Sequence, residues 1–574
     1  MSIDPNNDIV SRIPHLRPEL AFPCLTDDMI DRIRPYGQDI CFLRDSSLFK
    51  PGERDVDMFV ILKGSIEIYS FDESGEQRNL IVRLQETQFT GELDLFNSHR
   101  TMVHACTSDE STLLRIPRAE LKRLMRSEGD IANLIMQAMI WRRQGLLADE
   151  STAMMVWAET GLPETVQLQR FLMRNGYPHR MTVPTPEQLT HLRILAPASV
   201  ENLLPAVALR DGRVMFSPTI EDLADELGIT QLPDIGAIYD VAIIGAGPSG
   251  LAAAVYAASE GLSALIIEGT APGGQAGTSS KIENYLGFPT GVSGQELASR
   301  AQMQAQKFGA RLALSREAVR IDQHAGVHEI TLRGETCVCS RSVVIATGAR
   351  YRKLNVANYG RYENQGIYYA ATAMEANLVR GHEIAVIGGG NSAGQAAIFL
   401  SGVASRVHLV IRGDSLSSTM SQYLISRIES SDHITLHRNT EITKLEGDTK
   451  LTGVSWTDKL SGRTETRPIR GVFVMIGAEP NTGWLFGTLL LDKKGFIVTG
   501  TSEAFETSRY ATSVPGIFAI GDVRSTSVKR VASAVGEGSI VISDVHRFLA
   551  ENRVGPFQGA GWQHTGQQPT GLNA

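Results

Sequence analysis

The sequence predicts a multidomain α/β protein, and three observations carry that prediction. Two glycine-rich fingerprints, Gly245-Ala246-Gly247-Pro248-Ser249-Gly250 and Gly388-Gly389-Gly390-Asn391-Ser392-Ala393, each follow a short apolar run, Tyr239 to Ile244 and Glu383 to Ile387. Strand and helix patterns alternate from residue 239 to 553, the order of a doubly wound sheet. The chain before residue 235 reads differently, as short strands with glycine turns and then a smaller mixed segment. At 574 residues the chain has room for several cores.

In residues 1–150, strands at Asp57–Leu62 and Ser65–Phe71 flank Lys63-Gly64, and a glycine-poor helical stretch runs from Arg118 to Leu147. Residues 151–234 change to strand, helix, strand, helix, hairpin, helix. Met154–Trp157 is the first strand, Glu164–Asn175 the first helix, Asp211-Gly212 the hairpin turn and Ile220–Leu227 the closing helix. Leu232-Pro233-Asp234-Ile235-Gly236 reads as a linker. The tail, residues 554–574, is rich in Gly, Gln and Pro and is expected to be flexible.

Each fingerprint has the strand, tight turn and helix that bring backbone N–H groups to a pyrophosphate at a helix N-terminus. Residues 239–553 therefore read as two Rossmann-type domains. In the first, Gly245, Gly247, Pro248, Ser249 and Gly250 are the binding candidates. Glu268, eighteen residues past Gly250, ends the strand Ala264–Ile267, where a carboxylate accepts hydrogen bonds from a ribose. In the second, Gly388, Gly390, Asn391, Ser392 and Ala393 are the candidates. Eighteen residues past Ala393 stands Ile411, followed by Arg412. The ribose acid is missing and a cation stands beside its place, which favours a 2′-phosphate and hence NADPH over NADH.

Lys and Arg number 55 against 63 Asp and Glu, a net charge of −8, which argues against a nucleic-acid partner. The N-terminus lacks the pattern of a signal peptide, and no apolar run is long enough to span a membrane. Cys24, Cys41, Cys106, Cys337 and Cys339 are few and unpatterned, as in a reducing cytoplasm. Cys337-x-Cys339 alternates along a strand as two inert thiols, and no metal site is expected.

Residues 239–553 resemble thioredoxin reductase and its relatives. The motifs are the first fingerprint with Pro272-Gly273-Gly274-Gln275, Glu283-Asn284-Tyr285, Ala346-Thr347-Gly348-Ala349, Ile520-Gly521-Asp522 and Lys529-Arg530-Val531. The resemblance implies FAD held by Gly274, Gln275, Asn284, Thr347, Gly348, Gly521 and Asp522, with Lys529, Arg530 and Val531 over the flavin edge. It implies an FAD domain in two parts, 239–355 and 477–553, around a nicotinamide domain at 356–476, and a homodimer. Arg412 matches one member of the family's basic NADPH cluster, while Ile411, Gly413 and Ser417 depart from it. A second departure bears on the chemistry. The family's Cys-x-x-C falls within Tyr368-Tyr369-Ala370-Ala371-Thr372-Ala373, and both sulfurs are replaced by the methyl groups of Ala370 and Ala373. A methyl group forms no mixed disulfide and no flavin adduct. Hydride transfer from nicotinamide to flavin remains. It needs position rather than a protein acid or nucleophile, so no catalytic side chain is expected.

Residues 25 to 140 resemble a cyclic-nucleotide-binding domain, a β-roll, through Phe49-Lys50-Pro51-Gly52-Glu53, Val60-Ile61-Leu62-Lys63-Gly64 and Phe89-Thr90-Gly91-Glu92-Leu93 leading to Arg100-Thr101. The resemblance puts Gly91, Glu92 and Arg100 at the phosphate and ribose of a phosphate-bearing effector. The compressed stretch between Glu92 and Arg100, and Thr101-Met102 after it, depart from the family. Residues 152 to 232 resemble a thioredoxin or glutaredoxin fold whose redox loop, Glu159-Thr160-Gly161-Leu162-Pro163, has no cysteine, with Pro205 at the family's cis-proline. A structural spacer is expected. Together these features imply a cytoplasmic FAD-dependent NAD(P)H oxidoreductase with a non-dithiol acceptor, such as dioxygen, a quinone or an iron–sulfur or flavin partner, gated by the N-terminal domain. A ferredoxin–NADP reductase-like enzyme and a non-enzymatic redox sensor stay open beside it.

Overall fold

The computed structural model describes residues 17–552 except 55, 72–77, 92–99, 149–152, 160–162, 210–211, 231–235, 280–281, 283–284, 325, 364, 370, 372 and 501–507. Glu92, Asn284, Ala370, most of the expected linker and the tail therefore lie outside the described residues.

The N-terminal module opens with α1 (Pro18–Ala21) and α2 (Asp27–Ile33). Seven strands follow: β1 (Gln38–Phe42), β2 (Ser47–Phe49), β3 (Met58–Lys63), β4 (Ile66–Phe71), β5 (Arg78–Leu84), β6 (His104–Thr107) and β7 (Ser111–Ile116). They form two antiparallel sheets, β1-β7-β3 and β2-β6-β4-β5. Phe59, Ile61, Ile66 and Leu113 are buried together in this module. The helical stretch divides at Glu128 into α3 (Arg118–Ser127) and α4 (Gly129–Ala148). Both helices pack Leu121, Leu124, Ile131 and Ile135 onto Met58 and Val60 of β3.

The middle module runs β8 (Met154–Trp157), α5 (Pro163–Arg174), β9 (His179–Thr182), α6 (Pro186–Leu195), β10 (Ala206–Ala208), β11 (Val214–Phe216) and α7 (Ile220–Glu226), the order read from the sequence. Its sheet is β11-β10-β8-β9, with only β8 and β9 parallel, and the Leu204–Pro205 peptide bond is cis. Phe171, Leu172, Val207 and Leu223 belong to one core with Val241, Ile243, Ala253 and Leu312 of the next domain. Through that core the module is packed onto its neighbour.

The first nucleotide domain contains β12 (Ile238–Ile244), α8 (Pro248–Ser259), β13 (Ala264–Glu268), α9 (Gly294–Phe308), β14 (Arg311–Leu314), β15 (Ala318–His324), β16 (Val327–Leu332) and β17 (Cys337–Ile345). The chain leaves it through β18 (Ala349–Tyr351). The second nucleotide domain holds β19 (Ile367–Tyr368), α10 (Ala373–Leu378), β20 (Glu383–Ile387), α11 (Asn391–Leu400), β21 (Arg406–Val410), α12 (Gln422–Glu429) and β22 (Ile434–His437). It continues with β23 (Thr440–Gly447), β24 (Leu451–Asp458), β25 (Thr464–Arg467) and β26 (Gly471–Val474). The chain returns through β27 (Ala478–Pro480) and closes the first domain with β28 (Ile517–Ala519) and α13 (Val531–Glu551).

The first domain's sheet runs β14-β13-β12-β17-β16-β15, with β28 parallel to β17; the second's is β19-β26-β20-β21-β22, parallel throughout. Helices cover both faces of such sheets, which is why Val241–Ile244 and Ile384–Ile387 are apolar without alternation. β18 pairs antiparallel with β27, so the two chain crossings between domains form one ribbon.

Candidate dinucleotide-binding sites

In an open α/β sheet the ligand crevice lies beyond the carboxyl ends of the strands, and there the predicted residues converge. β12 ends in the loop of the first fingerprint. Gly245 has φ +107, and a Cβ there would lie 2.4 Å from the Ala346 oxygen, so only glycine fits between β12 and the loop after β17. Gly247 caps α8, Pro248 stands in its first turn, and the space a Gly247 Cβ would enter holds no atom of the described residues within 4 Å. An open side of backbone at a helix N-terminus suits a pyrophosphate.

The other motifs close around this loop. The Glu268 carboxylate accepts from Ala246 N at 2.8 Å and from Thr270 N at 2.9 Å, fixing its position over the fingerprint. Gly273 N donates to Ala246 O at 2.8 Å, and Gly274 stands so close that its Cβ would lie 3.1 Å from Gly247 Cα. Gln275 beside it is exposed. Thr347 Oγ1 donates to Asn481 O at 3.0 Å, Asn481 Nδ2 returns a bond to Thr347 O at 2.8 Å, and Asn481 N bonds Gly348 O. The Gly521-Asp522 turn packs on Ser249, whose Oγ lies 2.6 Å from where a Gly521 Cβ would be.

Burial pushes the Asp522 carboxyl up, with the Lys529 ammonium opposing; burial pushes Lys529 down, with Asp522 opposing. Lys529 Nζ donates to Asp522 O at 3.2 Å and lies 4.7 Å from the Phe496 ring centre. Arg530 is the N-cap of α13 and Val531 its first residue.

The second fingerprint repeats the geometry. A Cβ on Gly388 would lie 2.4 Å from Met475 O, and Ala393 is buried where the first fingerprint has its last glycine. Gly390 caps α11, whose first residues Asn391 and Ser392 are exposed. The loop after β21 is stitched to the fingerprint by Thr419 Oγ1 to Gly389 O, 2.8 Å, and by Ser421 N to Asn391 Oδ1, 2.8 Å. Ile411 is buried under it and Arg412 is exposed beside it.

Residues 239–538 match the pyridine nucleotide-disulphide oxidoreductase family. The chain belongs to that family. It is 35% identical over 314 residues to thioredoxin reductase of Mycolicibacterium smegmatis, covering 55% of this chain and 97% of that protein. It is 33% identical over 317 residues to the bifunctional thioredoxin reductase/thioredoxin of Mycobacterium leprae, covering 55% of this chain and 67% of that protein. The solved thioredoxin reductase of Giardia duodenalis superposes with a TM-score of 0.50 at 28% identity, covering 54% of this chain and 99% of that one. Residues 40–128 match the cyclic nucleotide-binding domain. FAD and NADPH are the cofactors of thioredoxin reductases, and the open backbone at Gly247 with the Glu268 carboxylate beside it fits the first of them.

The structure also brings in residues that motif reading missed. Glu537 of α13 accepts from Gly521 N at 2.6 Å and pairs with Arg524 at 2.8 Å, so it holds the turn that carries Asp522. Arg174 of the middle module reaches the turn at Gly273-Gly274. Neither residue lies in a sequence motif, and each contact joins distant parts of the fold.

Of the N-terminal candidates, Gly91 has φ +111 and its carbonyl accepts from the buried Arg142 at 2.8 Å. Arg100 is already engaged: Nη1 donates to Gly52 O at 2.9 Å, Nη2 pairs with the Glu226 carboxylate at 3.1 Å, and Nε donates to Glu226 O. Arg54 donates to Asp225 O beside it. Two cations thus sit at the carbonyl end of α7, the end a helix dipole makes negative.

Proposed function

We propose that this chain is an FAD-dependent NAD(P)H oxidoreductase that prefers NADPH and passes electrons to an acceptor other than a dithiol. The placement of the cysteines carries the reading. Ala370 and Ala373 stand where the family has its redox pair, and no other pair substitutes for it. Cys24, Cys41 and Cys106 belong to the N-terminal module. Cys337 and Cys339 lie at the amino end of β17, and six residues at ~3.3 Å each put Cys339 about 20 Å from the strand's carboxyl end, where the fingerprint loop stands. Hydride transfer is the chemistry the two cofactors supply when bound. The chain's own part is to hold them: the fingerprint backbone takes the phosphates, Glu268 the adenosine ribose and Asp522 with Lys529 the buried polar end of the flavin site.

Anaerobic addition of NADPH, and then NADH, to the purified protein is expected to bleach the flavin absorbance bands rapidly, NADPH at the lower concentration. The reduced protein should reoxidise with dioxygen, a quinone or ferredoxin and leave oxidised thioredoxin untouched. Reduction of thioredoxin would sink the non-dithiol reading. A flavin that stays oxidised under both nucleotides would favour a sensor over an enzyme.

Gating by the N-terminal domain has its own support. Asp225, next to Glu226, holds Arg316 Nη2 with both carboxylate oxygens, at 2.8 and 2.7 Å, and Arg316 N donates to Glu268 O at 3.1 Å. The acid pair at the end of α7 therefore connects Arg100, through Arg316, to the main-chain carbonyl of Glu268, the residue proposed to hold the adenosine ribose. A phosphate arriving at Arg100 competes with the Glu226 carboxylate. Glu226→Gln is expected to tighten binding of cyclic AMP or cyclic GMP about tenfold, a change of about 1.4 kcal/mol, and Arg100→Ala to abolish it. The check is calorimetric titration of the two variants beside the parent, with the rate of flavin reduction measured at saturating nucleotide. Equal affinity in all three proteins would place any effector elsewhere.

A further inference from the structure

We propose that Arg174 is a cofactor-positioning residue, contributed to the FAD site by the cysteine-less middle module. The inference rests on FAD as the occupant of the first fingerprint. Arg174 ends α5, and its Nη2 donates to two carbonyls at once, Ala271 O at 3.3 Å and Gly274 O at 3.2 Å. These carbonyls bracket Pro272-Gly273. Gly273 and Gly274 both have positive φ, +101 and +53, and neither carries a side chain that could hold the turn. On its other side the turn meets the fingerprint, through Gly273 N to Ala246 O and the close approach of Gly274 to Gly247. Arg174 and the fingerprint thus grip the turn from two sides.

The physical need for such a clamp follows from charge. A loop beside a pyrophosphate must direct its carbonyl oxygens away from the anion, and Arg174 takes up two of them. The guanidinium is costly where it stands: it is partly buried, its Nε is buried with no hydrogen-bond partner among the described residues, and burial pushes its pKa down while Glu268 opposes. Glu268 already bonds Ala246 N and Thr270 N, so it serves two other groups. A doubly negative pyrophosphate at the fingerprint would supply further compensating charge. The C-terminal end of α5 is held in place independently: Gln295 Nε2 donates to Arg174 O at 2.6 Å, and the continuous core lies beneath.

The test is FAD affinity of the full chain. Protein stripped of flavin is titrated with FAD, following quenching of the flavin fluorescence, and the thermal midpoint of the stripped protein is measured in parallel. Arg174→Ala should weaken FAD binding about 10- to 100-fold, while the midpoint stays within about 2 °C of the parent. Arg174→Lys keeps the cation but loses the planar fork, and should bind severalfold more weakly than the parent and more tightly than the alanine variant. Parent-like FAD affinity in either variant overturns the proposal. So does equal weakening in both with equally lowered midpoints, the behaviour of a residue that only joins two modules. If Arg174→Ala does not fold, Arg174→Lys decides alone: weaker FAD binding at an unchanged midpoint supports the role, and any other result overturns it. A parent that takes up no FAD would remove the flavoprotein reading itself, which is a separate failure.

Discussion

A Gly247→Val variant should fold as the parent does and emerge from purification without flavin. The backbone at Gly247 has φ −69 and ψ −179, an extended conformation that valine adopts readily. A Cβ there meets no atom of the described residues within 4 Å, so the side chain enters open space rather than packed protein. The space it fills is the open side of the α8 N-terminus, where a dinucleotide's phosphates belong. FAD affinity is expected to fall on the order of 100-fold or more, about 3 kcal/mol, with the thermal midpoint of the flavin-free protein nearly unchanged. Gly250→Ala makes the contrast. Its Cβ would come within 1.9 Å of Gly245 O and 3.3 Å of Ala346 Cβ, so the helix must move off the strand. Such overpacking costs about 1–3 kcal/mol, and the flavin-free midpoint should fall along with FAD binding. Flavin content after purification, paired with the two midpoints, separates the cases. Flavin retained by Gly247→Val would show that the phosphates do not lie over this loop.

The two glycines illustrate what a sequence can disclose. Both sit in a motif read along one continuous stretch of strand, turn and helix, where spacing alone determines which residue faces what. The order of the middle module was legible for the same reason, since each element carries its own periodicity, and the cis bond at Pro205 followed from the fold it resembles. The break between α3 and α4 at Glu128 was not legible. Leu121, Leu124, Ile131 and Ile135 keep apolar positions coming through it, and the kink shows only in the Glu128 backbone, φ −111 and ψ 81.

What stayed hidden were contacts between elements far apart in the chain. Arg174 reaches residues about a hundred positions away, and Arg100 meets Glu226 across a similar gap. Each arginine lies in a stretch whose local pattern is fully explained by something else, a helix end in one case and a phosphate-binding motif in the other. No periodicity distinguishes an arginine that clamps a neighbouring domain from one that faces water. The middle module shows this most clearly. Without its cysteines it has no chemical motif, so the sequence reads only as a structural module; its shared core with the first nucleotide domain and its bond to the Gly274 turn come from contacts that no local pattern carries.

In the second nucleotide domain, Arg412→Ala should raise the KM for NADPH about 10- to 100-fold while changing the KM for NADH less than about threefold. The two nucleotide domains differ at equivalent positions. In the first domain the strand after the fingerprint helix ends in Glu268, a carboxylate turned back onto the loop at Ala246 N. In the second the equivalent strand, β21, is followed by Ile411, which is 3% exposed and lies under Gly389, its Cγ2 3.8 Å from where a Cβ would be. An isoleucine there offers no acceptor to a ribose hydroxyl and no negative charge to repel a 2′-phosphate. Arg412, the next residue, is exposed beside the same loop, and Thr419 and Ser421 tie the segment that follows to the fingerprint. A guanidinium held near that position pairs with a phosphate and gains nothing from a hydroxyl, so its loss should be felt by one nucleotide and not the other. Steady-state or stopped-flow reduction with each nucleotide reads the ratio directly. Equal effects on both would mean that Arg412 is only a solvated charge, and the preference for NADPH would then need another origin in the loop between Gly413 and Ser421.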